Sequence, residues 1–163
     1  MDESAVERFW MLARSQARIT AMPGYFGPTT LEMVPPPAWS FGGTTDEADA
    51  LLALVLAGTK TATSSALWDY EAGDEPLPEP GTMSILLDGA GHPRALIEST
   101  AVSVVPFDEV DAEHARLEGE GDRSLELWRE VHQRFFGEVA THDRAFSPDM
   151  PVVLERFRVL HTA

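Results

Sequence analysis

The run GTKTATSS, Gly58 to Ser65, holds the only lysine of the chain, Lys60, among threonines and serines; the other eleven basic residues are arginines. A lysine surrenders its proton when its surroundings lower its pKa, whereas an arginine effectively never does. A lysine kept where arginine serves everywhere else therefore points to proton transfer. Held beside a hydroxyl, it would deprotonate that hydroxyl, and Thr63, three residues on, is the candidate nucleophile. The structural alternative is a cation at a helix C-terminus, worth a few tenths to roughly 1 kcal/mol, with Thr61, Thr63, Ser64 and Ser65 as ordinary strand composition.

Glu98 is the second candidate. In RALIESTAVSVV it shares a strand face with Leu96, Thr100, Val102 and Val104. A carboxylate on an apolar face is costly unless paired or protonated. Two readings stand: an edge residue whose face is wet, or a buried carboxylate facing a cation and suited to acid–base work. Trp39, Phe41, Trp68 and Tyr70 flank the lysine run in sequence, where they would stack on a base or pack in the core. The run EGEGDRS, Glu118 to Ser124, does not match an EF-hand loop and reads as a connection between helices, with Asp122 or Ser124 as N-cap. His132 falls on one helical stripe with Leu125, Trp128 and Phe135 and reads as a hydrogen-bonded core histidine. The histidines show no HxxxH or HxxE pairing, so no metal site and no metal cofactor is expected. Neither a Gly-rich phosphate loop nor a GxSxG elbow occurs.

These residues need elements to position them. Ser4 to Arg18 has helical spacing, with Ser4 and Glu7 as a capping box. Ile19 to Gly43, with five prolines and four glycines, reads as an arm or long loop. Thr44 to Ala57 is a second helix, capped by Thr44 and Glu47 and stopped by Gly58. Strands are predicted over Lys60–Trp68, Met83–Leu87, Pro93–Val105 and Val152–Leu160, and helices near Asp108–Leu117 and Ser124–Val139. Without regular βαβ alternation, this predicts an α+β fold around a mostly antiparallel sheet or small barrel.

Composition narrows the function. The 163 residues suit one domain, or one with an extension. With no cysteine, neither disulfides nor thiolate metal sites arise. No apolar run approaches the roughly 20 residues of a membrane span, and the acidic MDESAVERFW lacks a signal core, so a cytoplasmic protein is expected. A net charge of −15 opposes broad phosphate binding; a neutral nucleoside meets less repulsion.

Taken together, WSFGG, ADALLALVLAGTKTATSS, PLPEPGTMSILLDGAGHPRALIEST, VVPFDEV, EGEGDRSLELWREVHQRFF and VVLERFRVL resemble the ASCH domain family, over roughly Trp39 to Leu160. The resemblance implies a small PUA-like antiparallel β-barrel flanked by helices. It places an N-terminal helix and Pro-rich arm at 1–38, as a lid or dimer contact, and the ASCH domain at 39–163. It further implies an amidohydrolase that removes the acyl group from N4-acylcytidine, with Lys60, Thr63 and Glu98 as catalytic set and no cofactor. Trp39, Phe41, Ser64, Ser65, Trp68 and Tyr70 would bind the substrate. The small hydrolases carry a basic residue where this chain has Ser65. Other members imply ribonuclease activity or RNA binding as alternatives. The expected partner is a small nucleoside, with RNA as a second possibility, and the expected state is a monomer or homodimer.

Overall fold

Asp2 starts the first helix. In the computed structural model, which describes residues 2–17 and 34–163, its carboxylate accepts from the Ser4 and Ala5 amides. Helix α1 runs Glu3–Gln16. The helix therefore opens before Ser4, because an aspartate carboxylate two residues earlier already satisfies the first amides. Its expected end at Arg18 and most of the Pro-rich arm lie outside the described residues.

The remaining elements are β1 (Ala38–Trp39), α2 (Thr45–Leu56), β2 (Ala62–Ala66), α3 (Leu67–Gly73), β3 (Met83–Leu87), β4 (Pro93–Pro106), a 3₁₀ turn at Phe107–Glu109, α4 (Ala112–Glu118), α5 (Leu125–Glu138) and β5 (Pro151–Thr162). The sheet order is β1-β3-β4-β5-β2. β1 runs parallel to β3, while β3–β4 and β2–β5 are antiparallel. The fold is α+β, with a mixed five-stranded sheet, flanking helices and an N-terminal helix. None of the helices among the described residues is long and apolar enough to cross a membrane.

Local chemistry accounts for most boundaries. Thr44 Oγ1 accepts from the Glu47 amide at 3.2 Å, and the Glu47 carboxylate accepts from the Thr44 and Gly43 amides, which is the expected capping box. Ser124 caps α5 through the Leu127 amide. The strand expected to reach Trp68 ends at Ala66. The chain there turns into α3, which stops at Asp74 in the left-handed region, φ 52°.

The described chain forms two compact units. One gathers Val6, Phe9, Trp10 and Ala13 of α1 against Ile85, Leu87 and Leu96. The other packs Trp128 and Phe136 of α5 with Phe107, Val110, Ala115, Met150 and Val152. The second unit, Ala57–Thr82 with Ser99–Phe157, holds the lysine run and its partners.

Candidate active site

Lys60 is 1% exposed. Its Nζ lies 3.2 Å from Glu118 Oε2 and 3.0 Å from Glu120 Oε1. Both carboxylates come from the run that the sequence presents as a helix connection. Glu118 is the last residue of α4, and Gly119 follows at φ 74°. A Cβ on Gly119 would stand 2.5 Å from the Thr59 carbonyl oxygen. Only glycine admits that conformation and that approach together. The Thr61 amide also donates to the Leu117 carbonyl at 2.8 Å, so the lysine run and the end of α4 are joined by backbone on either side of Lys60.

Glu118 is the centre of the cluster. Its Oε1 accepts from Trp128 Nε1–H at 2.7 Å, lies 3.0 Å from His114 Nε2, and is hydrogen-bonded by the Ser64 hydroxyl. Its Oε2 faces Lys60 and, at 3.3 Å, His132 Nε2. Burial opposes its ionisation, but the charges of Lys60 and His132 outweigh that and hold the carboxyl well below the usual range. His132 is the reciprocal case. Burial alone would lower its pKa, yet the Glu118 carboxylate raises it. Its Nδ1–H donates to the Trp128 carbonyl at 2.9 Å, so with Nε2 turned to Glu118 both ring nitrogens are placed as donors. The ring stacks on Trp128 with centroids 4.2 Å apart. His132 is thus the hydrogen-bonded core histidine of the sequence reading.

Strand alternation sorts the hydroxyls. Along β2, Ala62, Ser64 and Ala66 face one way and Thr63 and Ser65 the other. Ser64 Oγ sits 2.8 Å from His114 Nε2 and also bonds Glu118. It is therefore Ser64 that shares a carboxylate with Lys60, while Thr63 stands across from Glu155 on β5. A cavity of about 250 Å³ opens at His114, lined also by Glu109, Asp111, Leu154 and Arg156. Leu154 and Arg156 are the β5 partners of Ser64 and Ala62, so the cavity and the cluster lie on one face.

The other expected residues are placed as follows. Glu98 belongs to the first unit, where its Oε2 accepts from Arg158 Nε at 2.6 Å. The cation it faces is thus Arg158, itself 65% exposed. Trp39 and Phe41, also of the first unit, form an edge-to-face pair with centroids 4.8 Å apart. Trp68 packs edge-on to His142 and carries the Arg144 guanidinium 5.0 Å above its ring. Ser65 Oγ and Tyr70 Oη are 3.4 Å apart. Sequence reasoning passed over Glu118, Glu120 and His114 as site residues. The available signal was the i,i+4 spacing of His114 and Glu118, which puts both on one face of α4. Glu118, Glu120 and His132 each present a ligand atom within 4.8 Å of the others, spacing that also suits a divalent ion. Here the Lys60 ammonium stands against both carboxylates.

A buried lysine held by two carboxylates, beside a hydroxyl–imidazole pair and a cavity, is a centre built to move protons. The sequence profile of the ASCH domain matches residues 37–161, and the chain belongs to that family. A crystal structure of a protein from Enterococcus faecalis V583 superposes with a TM-score of 0.81 at 34% identity, covering 96% of this chain and 88% of that one. A crystal structure of an ASCH domain from Lactobacillus crispatus JV V101 gives 0.78 at 28% identity, covering 98% and 96%. No curated protein matches the sequence.

Proposed function

We propose that this ASCH domain is an amidohydrolase that removes the acyl group from N4-acylated cytosine nucleosides, with the Lys60–Glu118–Glu120 cluster handling the protons. The observation that carries this reading is the sealed lysine: the one proton-yielding cation of the chain is buried between two carboxylates, one of which, Glu120, is 24% exposed. The substrate class rests on the GxKxxT run and on the family.

In this scheme a hydroxyl of β2 attacks the acyl carbonyl. Ser64 is the hydroxyl placed on the Lys60 face, within reach of His114 as base. Thr63, the residue named by the motif, is the alternative on the opposite face. As the C–N bond breaks, the cytosine amine takes a proton relayed from Lys60 through Glu120. Water then hydrolyses the acyl-enzyme, so that N4-acetylcytidine and water yield cytidine and acetate. The exocyclic nitrogen is conjugated with the ring and leaves more readily than an alkyl amine. The buried Glu118 stays ionised and fixes Lys60, Ser64 and His114 around it.

Chromatography of N4-acetylcytidine incubated with the purified protein tests this. Cytidine and acetate should form, with and without EDTA, and Glu118→Gln should abolish the reaction. Absence of cytidine from every acylated cytosine nucleoside, together with cleavage of RNA, would replace this reading by ribonuclease activity.

A further inference from the structure

Glu155 is the buried carboxylate that the scheme above leaves unused. It is 6% exposed, in the middle of β5. Where Glu118 is met by Lys60, His132, His114, Trp128 and Ser64, no cation among the described residues pairs with Glu155. Ser99 Oγ–H donates to its Oε1 at 2.5 Å, and Ser99 itself is 3% exposed. Burial pushes the Glu155 carboxyl above the usual carboxylate range, and the Ser99 hydrogen bond offsets only part of that. A carboxyl kept neutral is a donor and an acceptor side by side.

The register shows what surrounds it. Thr63 is the direct cross-strand partner of Glu155, and Ser65 is the partner of Val153 two residues away. Directly opposed side chains share a face, with Cβ atoms roughly 4.5–5.5 Å apart. Thr63 and Ser65 are half-buried, as is Tyr70, whose hydroxyl lies 3.4 Å from Ser65 Oγ. Burial and the nearby Glu155 raise the Tyr70 phenol. The face away from Lys60 therefore descends from half-exposed hydroxyls to a buried carboxyl with no counter-ion. Leaving such a carboxyl buried without a partner is costly, and a ligand that presents a donor beside an acceptor would satisfy it.

We propose that Glu155, Ser99, Thr63, Ser65 and Tyr70 form a second binding site, on the face of β2 and β5 opposite Lys60, for the hydrogen-bonding edge of a neutral nucleobase. The Glu155 O–H donates to a ring nitrogen such as N3 of cytosine, and its carbonyl oxygen accepts from the adjacent exocyclic N–H. The hydroxyls of Thr63, Ser65 and Tyr70 take the remaining polar edge. The net charge of −15 disfavours an anionic occupant of this face and leaves a neutral base unaffected. This assignment does not depend on the hydrolytic reading, because it concerns binding and not turnover.

Titration calorimetry with cytidine as probe, and ribose as control, decides it. Wild type should bind cytidine and not ribose. Glu155→Gln keeps one donor and one acceptor and should stay within about threefold of wild type, whereas Glu155→Leu should lose roughly tenfold or more, the effect of one or two hydrogen bonds. Lys60→Met should bind cytidine as wild type does, since it alters the other face. Should Glu155→Leu fail to fold, Thr63→Val combined with Ser65→Ala carries the same expected loss. The proposal is overturned if wild type binds no cytidine, if Glu155→Leu binds undiminished, or if Lys60→Met removes binding. The last result would move the base to the Lys60 face. Failure to hydrolyse N4-acetylcytidine would leave these binding outcomes untouched.

Discussion

Lys60 and Ser64 can be tested as single side chains because each has a conservative replacement that removes one property. Lys60→Arg keeps the cation but not a transferable proton. Its larger planar head must also fit between Glu118 and Glu120. Turnover of N4-acetylcytidine should fall by at least about 10²-fold, the scale of general acid–base catalysis, while circular dichroism stays native. Near-normal turnover would reduce Lys60 to an electrostatic strut. The two hydroxyls form a matched pair. Ser64→Ala should abolish activity and Thr63→Val should spare it, because only Ser64 reaches His114 and Glu118. The reverse pattern would make the motif threonine the nucleophile and place the chemistry on the opposite face. Glu98→Gln removes the charge of a carboxylate whose partner Arg158 is largely exposed. Its stability should change by about 1 kcal/mol or less, as for other exposed pairs, with kcat unaltered on the scheme drawn here. A large fall in kcat would restore the catalytic role that the sequence suggests for Glu98.

At the scale of elements, the end of α4 decides whether the cluster assembles. Gly119→Ala puts a methyl group against the Thr59 carbonyl at a positive φ. That clash must push the lysine run and α4 apart, so both stability and turnover should drop, and a thermal melt measured alongside kcat will show it. The same stretch marks where the sequence was legible and where it was not. Caps at Thr44 and Ser124 rest on residues within three positions of one another, and β3 on five residues of its own; such local patterns read directly. The Lys60–Glu118 bond joins residues 58 positions apart, and no periodicity reports that. Glu98 shows the complementary failure. Alternation gives its face correctly as shared with Leu96, but not how wet that face is. Helix α3 escaped because ATSSALW has strand composition throughout, and only the turn into Leu67 ends it.

Across the whole molecule, charge and protonation set the conditions of use. With −15 net, hydrolysis of a neutral nucleoside should vary little between about 50 and 500 mM salt, since few counterions are released; a steep fall would indicate nucleic acid. Stability should be greatest at intermediate pH. The depressed Glu118 contributes stability that is present above the ordinary glutamate range and lost as pH falls through its folded value. The raised His132 contributes stability that is present below the ordinary histidine value and lost as pH rises through its folded one. Glu155, also raised, loses its contribution as pH climbs above the usual carboxylate range. Glu155→Gln should therefore melt higher than wild type at pH 8, by a few degrees at about 2–4 °C per kcal/mol, with the gap closing near pH 4. Equal melting temperatures at both pH values would mean that Glu155 titrates normally. The sealed position of Lys60 also has an analytical use. The chain carries a single side-chain amine, and the fold hides it at 1% exposure. An amine-directed acylating reagent would then meet that nitrogen only when the second unit opens. The rate of labelling, followed by mass spectrometry, becomes a clock for that opening, and a ligand seated over the cluster would slow it.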